Sequence, residues 1–408
     1  MAGYSNDLED YLEALVDELA VPETRYAQAS VSYKSFGEWL HRDTSTVLGF
    51  DPDVYLQGSF KLGTVIRPHG SNDDYDIDAV CLFNNLTKDQ LSQAKLKKLL
   101  EKEVRSYRSA QGMTKPVIEK SRCWRLEYAD GAQFHMDLLP AIPNGQSVRM
   151  LLEARQLDTE YADTAIAITC TASECYEDLS DDWPRSNPKG YAAWFKSRME
   201  DVFNERRAIL LEKRRQTVAK ASIEDIPEYA VRTPLQSAIM VLKHHRDTMF
   251  EDDPDETKPI SIILTTLSAH AYQGERTVSD ALKRVLDDME DAIDFDGFEY
   301  RIPNPTDALE NFADKWAQHS DRKDAFFTWL RQARADFLGA MGMTDAVLIS
   351  EHVSKGVGND LSQRALARTV AATGSAGGLL GAASAAAAAP TLSFSDQRRA
   401  PEGPKDFA

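Results

Sequence analysis

The N-terminal part of the chain has a helical pattern of apolar positions. In "LEDYLEALVDELA", apolar residues recur at intervals of three and four, and Pro22 interrupts the pattern. A second helix is expected from roughly Thr24 to Val47, with Phe36 and Leu40 on its apolar stripe. We expect this helix, which precedes the first strand, to brace a sheet.

From Val54 to about Ile142 the pattern changes to short β-rich runs bounded by Gly, Asn, Asp and Pro. The runs are "VYL", "YDIDAVCLF", "CWRLEY" and "QFHMDLLPAI". Between the second and the third, "LTKDQLSQAKLKKLLEKEVRSY" is typical of a helix with a thick basic face. This order of elements predicts an α+β core with a mixed sheet.

After Leu151 the helical period dominates, in runs that include "PLQSAIMVLKHHRDTMF", "ISIILTTLSAHAY" and "DALENFADKWAQHS". The Ala/Gly/Ser-rich "ATGSAGGLLGAASAAAAAP" then predicts a flexible tail. The predicted organisation is N-terminal helices in 1–53, a catalytic core in 54–160, a helical lobe in 161–367 and a tail in 368–408.

Composition narrows the class of protein. The 408 residues carry a net charge of −18, which argues against a general binder of nucleic acid or anionic membranes, although a small basic pocket remains compatible with it. The four cysteines form no CxxC pair and indicate reduced thiols rather than a zinc site. The acidic N-terminus is not a signal peptide, and no run reaches the ~20 apolar residues of a membrane span. We expect a cytoplasmic protein.

Two carboxylates stand out in "YDIDAVCLF". On a strand, period two places Asp76 and Asp78 on one face, where they repel each other unless positive charge lies between them. A divalent cation is the simplest source of that charge. Asp137 in "FHMDLLP" supplies a third carboxylate if the two strands pair, which is the arrangement that two-metal phosphoryl transfer requires.

Gly58 and Ser59 precede this strand. A Gly at the end of a strand lets the backbone approach a phosphate closely, and the Ser hydroxyl can donate to its oxygens. An Asp-x-Asp pair alone is compatible with a solvated strand face, and two further pairs, 51–53 and 294–296, follow no Gly-Ser turn. The ordered set of turn, carboxylate pair and later lone Asp therefore favours a catalytic metal site.

The motifs "QGSFKLGTVIRP", "YDIDAV" and "FHMDLLPAIP" resemble the DNA polymerase β-type nucleotidyltransferases. Within that superfamily they most resemble the bacterial cGAS/DncV-like nucleotidyltransferases (CD-NTases). The resemblance covers about residues 54 to 143 strongly and the helical remainder only in outline. It implies a polymerase β-like core with a bracing N-terminal helix and a C-terminal helical lobe.

The resemblance also implies roles for individual residues. Gln57, Gly58 and Ser59 would hold the donor triphosphate, and Asp76, Asp78 and Asp137 would bind two Mg²⁺, with Mn²⁺ as a substitute. Asp137 would lie nearest the acceptor hydroxyl and favour its deprotonated form. Lys243 and Ser261 match, loosely, a helical Lys and a downstream Ser that grip the triphosphate. A solvated charge for Lys243 and a helix cap for Ser261 are the alternatives.

The activity implied is attack of a ribose hydroxyl of one NTP on the α-phosphate of a second, repeated to close a cyclic di- or trinucleotide. Such messengers serve anti-phage (CBASS) defence, and cyclic GMP-AMP from ATP and GTP is the favoured product on resemblance alone. No duplex DNA activator is expected, since the Cys/His zinc element and basic patches of animal cGAS are missing from the sequence.

The resemblance further favours a monomer and an operon-encoded effector. It also raises a ubiquitin-transferase-like partner that would act on the tail ending in Ala408, against the simpler reading of a solubilising tail. Two other functions stay open on the residues alone. One is a related nucleotidyltransferase that modifies RNA ends, a protein or a small molecule, and the other is a catalytically silent nucleotide-binding module.

Overall fold

A computed structural model of the chain describes residues 6–68, 75–128, 134–217 and 230–376. The strands of its main sheet are β1 Pro52–Leu56, β2 Tyr75–Phe83, β3 Ile118–Glu119, β4 Trp124–Glu127, β5 Phe134–Pro143, β6 Ile166–Ile168 and β7 Arg185–Ser186. Two small hairpins follow, formed by β8 Asp294–Phe295 with β9 Tyr300–Arg301, and by β10 Pro303–Asn304 with β11 Asp307–Asn311.

The helices that precede or accompany the sheet are α1 Asn6–Leu19, α2 Glu23–Leu40, α3 Gly58–Leu62, α4 Gln93–Ala110 and α5 Gly145–Glu153. The later helices are α6 Pro188–Ser197, α7 Glu200–Thr217, α8 Pro234–Met249, α9 Ser261–Ala271, α10 Val278–Asp288, α11 Ser320–Leu338, α12 Ala346–Val357 and α13 Asn359–Ala376. None of the described helices is both long and apolar enough to cross a membrane.

The main sheet is mixed, as the sequence predicts. Its order is β1-β2-β5-β4-β3, with β6 paired to the end of β5 and β7 to β6. β2 and β5 are parallel, whereas β1 and β4 lie antiparallel to them on either side. The two central strands therefore carry the three predicted carboxylates side by side in the middle of the sheet.

Two large apolar clusters hold the described part of the chain together. One lies between the sheet and the helices α2 and α4, where Phe36 and Leu100 pack with Ile77 and Met136, all fully buried. The other joins α1 to α8–α12. The two N-terminal helices thus pack in different clusters, and the predicted boundary at residue 53 stays a prediction.

Two local expectations are wrong. The second helix ends at Leu40 instead of near Val47, because the following "HRDTSTV" is rich in residues whose side chains favour turns over helix. The run "DALENFADKWAQHS" was expected to be helical, but it forms β11 and a short 3₁₀ turn. There Asp307 is buried against Arg185, with 2.7 Å between the carboxylate and the guanidinium, and this tertiary ion pair overrides the local period.

The described residues up to Val370 form one compact unit. The predicted tail starts at residue 368, but α13 continues to Ala376, so the first residues of that segment are helical. The rest of it, with Ala408, lies outside the described residues. The predicted tail and its proposed modification therefore stay predictions.

Candidate active site

The pairing of β2 with β5 brings the predicted carboxylates together. In the parallel register Asp78 lies opposite Asp137, and Asp76 lies opposite His135. Because side chains alternate along each strand, all four point to one face of the sheet. One ligand atom from each of Asp76, His135 and Asp137 lies within 4.8 Å of the others.

Arg125 and His135 are site residues that the sequence analysis missed. Arg125 on β4 donates from two nitrogens to the two carboxylate oxygens of Asp137, at 2.8 Å each, and more weakly to Asp76 at 3.3 Å. His135 Nε2 lies against a carboxylate oxygen of Asp76 and is the largest cause of the lowered pKa of Asp76. The carboxylates therefore already have one cationic partner, Arg125. Neither residue stands out in the sequence, because its contacts with the carboxylates depend on how β4 and β2 pair with β5.

Asp78 is more enclosed than Asp76, which is exposed. Burial, then the charges of Asp137 and Asp76, raises its pKa to about 6. Its carbonyl oxygen accepts a hydrogen bond from the backbone N–H of Gln57 at 2.9 Å, which fixes the end of β1 beside it. An anionic Asp78 is thus costly in the protein alone, and a cation or a proton would relieve that cost.

Gly58 is required by its backbone and by its closeness to Asp78. Its φ of +63° is left-handed, and a Cβ there would collide with the Oδ2 atom of Asp78. Gly58 and Ser59 begin the short helix α3, where the sequence suggested an open turn. The close approach of backbone to carboxylate is the structural reason for Gly at this position.

A cavity of about 750 Å³ opens on these residues. Its lining includes six of the eight predicted site residues, namely Gly58, Ser59, Asp76, Asp78, Lys243 and Ser261. Gln57 borders a different cavity, described below. The helical lobe and the sheet thus contribute side chains to one space, and it holds the basic groups Lys243, Arg246 and Lys258.

Lys243 is buried, with 6% of its surface exposed, so the alternative of a solvated helix charge is wrong. Its Nζ donates to the carbonyl oxygen and the hydroxyl of Thr64 at 3.2 and 3.1 Å. Burial, then the charge of Arg246, lowers the pKa of Lys243 to about 7. A bound anion beside it would restore the ammonium form.

Ser261 is the first residue of α9, and the N-cap residue is Ile260, so the alternative of a helix cap does not hold. The Ser261 hydroxyl accepts a hydrogen bond from Arg246 at 2.9 Å, and Arg246 also donates to the carbonyl oxygen of Pro259. Arg246 is itself buried and lines the same cavity. It is a further cationic residue that sequence reasoning did not single out.

A second cavity of about 1150 Å³ lies on the other side of Asp78. It shares Gly58, Leu62, Asp78 and Ile262 with the first cavity. Its walls come from the sheet, from the segment around β7 and from the hairpin β10–β11. Two ligands, one in each cavity, would therefore meet at Asp78, whereas Asp137 is in the lining of neither cavity.

The carboxylates fit a hard divalent cation. Asp76, Asp78 and Asp137 offer oxygen ligands, which Mg²⁺ and Mn²⁺ prefer, and after burial the charges of Asp137 and Asp76 contribute to the raised pKa of Asp78. His135 adds a nitrogen within reach of Asp76 and Asp137. These residues would hold the metal that the resemblance implies.

The raised pKa of Asp78 predicts a stability effect. Above pH 6, in EDTA, the Asp78→Asn protein is expected to be more stable than wild type, with a free energy of unfolding about 3 kcal/mol higher. Between about pH 4 and 6 Asp78 keeps its proton in the folded state and loses it in the unfolded state. The stability of the wild type therefore falls as the pH rises through this window. Urea unfolding at pH 4 and pH 7.5 measures it, and an equal difference at both values contradicts the assignment.

A family model for the nucleotidyltransferase domain described as "Cyclic GMP-AMP synthase DncV-like" matches residues 52–140. The chain is 30% identical to a c-di-GMP synthase of Roseivirga ehrenbergii over 325 residues, which are 79% of this chain and 77% of that protein. It is 24% identical to the cyclic dinucleotide synthase CdnG of Bradyrhizobium diazoefficiens, across 76% of this chain and 71% of CdnG.

The structure resembles that of the Bradyrhizobium diazoefficiens CdnG solved in complex with GTP. The TM-score is 0.63 at 20% identity, and the alignment covers 90% of this chain and 99% of that one. At this identity the likeness concerns the fold, and it extends over both the sheet and the helical lobe.

Proposed function

The chain belongs to the bacterial cGAS/DncV-like nucleotidyltransferases, and we propose that it joins two nucleoside triphosphates into a cyclic dinucleotide with release of pyrophosphate. The observation that carries the proposal is the meeting of two cavities at Asp78. One cavity has hydroxyl and cationic groups suited to a triphosphate, and the other has room for a second nucleotide.

In the first cavity the donor triphosphate is held by the Ser59 hydroxyl and by Lys243. The guanidinium of Arg246 and the hydroxyl of Ser261 complete this wall of the cavity. Lys243 gains its proton as the phosphates bind, because their charge offsets the burial that lowers its pKa. The ribose hydroxyl of the acceptor lies at Asp137, where the carboxylate favours the loss of its proton.

The hydroxyl oxygen then attacks the α-phosphorus, a new P–O bond forms, and the bond to the β-phosphate breaks so that pyrophosphate leaves. When bound by Asp76, Asp78 and Asp137, two Mg²⁺ ions supply charge stabilisation at the attacking and leaving oxygens. Arg125 keeps the Asp137 carboxylate oriented through its two hydrogen bonds. A second attack of the same kind closes the ring.

Which bases are joined is inferred from the similar proteins and not from the two cavities. Cyclic GMP-AMP is the product favoured by the sequence resemblance, whereas one relative is named c-di-GMP synthase and the CdnG structure contains GTP. Guanine is common to cyclic GMP-AMP, c-di-GMP and GTP. We propose a product with at least one guanine, made as a second messenger in anti-phage (CBASS) defence and acting on an operon-encoded effector.

The test is incubation with the four labelled NTPs and Mg²⁺ or Mn²⁺, followed by phosphatase treatment and chromatography. A phosphatase-resistant product that disappears in the Asp76→Ala/Asp78→Ala protein is expected. Products that require added RNA would replace the proposal with RNA-end modification. NTP binding without any product would replace it with a silent binding module.

Lys243 predicts the pH dependence of nucleotide binding. With a pKa of about 7 in the free protein, the ammonium form declines above pH 7, so the Kd for NTP is expected to rise up to about tenfold per pH unit between pH 7.5 and 8.5. The Lys243→Met protein should bind more weakly and lose that dependence. Titration calorimetry over this range measures it, and an unchanged slope in the variant would assign the dependence to another group.

A further inference from the structure

The second cavity contains a carboxylate with a fixed orientation. Glu310 on β11 accepts a hydrogen bond at its Oε2 atom from the Asn304 amide at 2.7 Å. Asn304 is buried, and its own oxygen accepts from the N–H and the hydroxyl of Thr306, at 2.9 Å each. Because these bonds engage the amide oxygen, the NH₂ group must face Glu310.

The Oε1 atom of Glu310 receives no hydrogen bond from the described part of the chain. Among the described residues Asn304 is the hydrogen-bond donor to this carboxylate, and Asn304 reaches only one oxygen. Burial is the largest influence on the pKa of Glu310 and, with the charge of Asp307, raises it, whereas the hydrogen bond from Asn304 and the charges of Arg185 and Arg122 oppose the rise. A partly buried carboxylate with open acceptor sites would be satisfied by a ligand that brings its own donors.

The surroundings suit a purine base. Phe312 is a partly exposed aromatic residue on the wall of the same cavity, where a base can stack on it. Tyr191 also lines the cavity but is buried, and its ring packs edge to face against Phe312 with the centroids 6.3 Å apart. Arg122 lines the cavity as well and can donate to the O6 acceptor of guanine, whereas Arg185 is held by Asp307.

Base-edge chemistry discriminates among purines at a carboxylate. Guanine presents two adjacent donors, N1–H and the N2 amino group, to which a carboxylate can accept two bonds. Adenine presents one donor beside the N1 acceptor, whose lone pair would face the anion. Each carboxylate oxygen has two lone pairs, so the bond from Asn304 does not block the second contact.

We propose that the second cavity is a guanine pocket in which Glu310, oriented by Asn304, reads the N1–H and N2–H₂ edge of the base. The pocket rests on the proposed function, and its shared residue Asp78 connects the bound nucleotide to the carboxylates. Glu310 is the residue that determines specificity, and Asn304 is a positioning residue.

The experiment compares GTP, ITP, 7-deaza-GTP and ATP as competing substrates. ITP lacks only the N2 amino group, and 7-deaza-GTP keeps the edge that Glu310 reads. Wild type is expected to incorporate GTP over ITP by about tenfold or more, the value of one hydrogen bond to a charged group. It should use 7-deaza-GTP nearly as well as GTP.

The Glu310→Gln protein keeps shape and volume but replaces one acceptor by a donor. Its preference for GTP over ITP should fall to near unity, and incorporation of ATP relative to GTP should rise by about tenfold or more, because a carboxamide pairs with both groups of adenine. Glu174→Gln, the same change at an exposed glutamate of the same cavity, should retain the wild-type ratios. Asn304→Ala should reduce the preference for GTP over ITP. GTP and 7-deaza-GTP should still bind this variant equally well.

Calorimetry with Ca²⁺ in place of Mg²⁺ gives the same comparison without turnover. If the protein joins nucleotides but Glu310→Gln keeps the wild-type GTP over ITP ratio, the guanine pocket is wrong and the proposed function stands. If no nucleotides are joined but GTP binds better than ITP and only Glu310→Gln removes the difference, the pocket stands and the proposed function fails. Equal binding of GTP and ITP to wild type overturns the pocket outright.

Discussion

Replacement of Asp137 by asparagine is expected to lower kcat by at least about a thousandfold, because one carboxylate serves both the metal pair and the attacking hydroxyl. The amide is neutral, so it neither attracts the hydroxyl proton nor completes the oxygen ligands. It also presents an NH₂ group to one nitrogen of Arg125, which donates to both carboxylate oxygens in the wild type. The released guanidinium would then compete for Asp76, which it already contacts at 3.3 Å.

Release of pyrophosphate under saturating NTP and Mg²⁺ measures this prediction. Asp53→Asn is the matched control, since Asp53 lies on β1 of the same sheet and pairs with Lys189 at 3.0 Å instead of with the carboxylate cluster. The control should keep kcat within about twofold, as surface substitutions usually do. If the Asp137→Asn protein keeps more than about a tenth of the wild-type kcat, Asp137 does not take part in the reaction.

The second large effect is expected from Gly58→Ala. A residue with a Cβ pays about 1 kcal/mol for the left-handed φ of +63°, and its Cβ would collide with the Oδ2 atom of Asp78. Either the carboxylate moves away from Asp137 or α3 moves away from the sheet. In both cases the geometry of the site is lost, so kcat/KM should fall at least about a hundredfold.

Gly112→Ala separates the cost of the left-handed backbone from the cost of the collision with Asp78. Gly112 has nearly the same φ, +65°, and nothing lies within 4 Å of the position its Cβ would take. Chemical denaturation of Gly112→Ala should therefore report the cost of the backbone alone, about 1 kcal/mol, with full activity. Gly58→Ala should cost more in unfolding free energy, and equal costs in the two proteins would show that Asp78 yields without strain.

Much of the site follows from local pattern in the sequence. Period two places Asp76 and Asp78 on one face of a strand whatever the strand pairs with, and the mixed sheet follows from the order of the short β-rich runs. The family was identifiable because its motifs are contiguous. Local pattern failed at β11, where the burial of Asp307 against Arg185 outweighs the helical period of the run.

The rest of the site depends on contacts between distant parts of the chain. The register that sets Asp78 against Asp137, the clamp of Arg125 on Asp137 and the contact of His135 with Asp76 are cross-strand relations. The burial of Lys243 against Thr64 joins α8 to a loop far away in the sequence, and it changes an ordinary lysine into one with a lowered pKa.

The sequence by itself therefore determined the kind of chemistry, because the carboxylates and the Gly-Ser turn are local features of strands and turns. Only the tertiary structure decided which charges meet, which groups are buried and where the second cavity lies. Desolvation and Coulomb energy depend on distances between residues far apart in the chain, and no period along the sequence encodes those distances. Glu310 illustrates the difference, since it is an ordinary acidic residue in the sequence and a fixed, half-satisfied carboxylate in the fold.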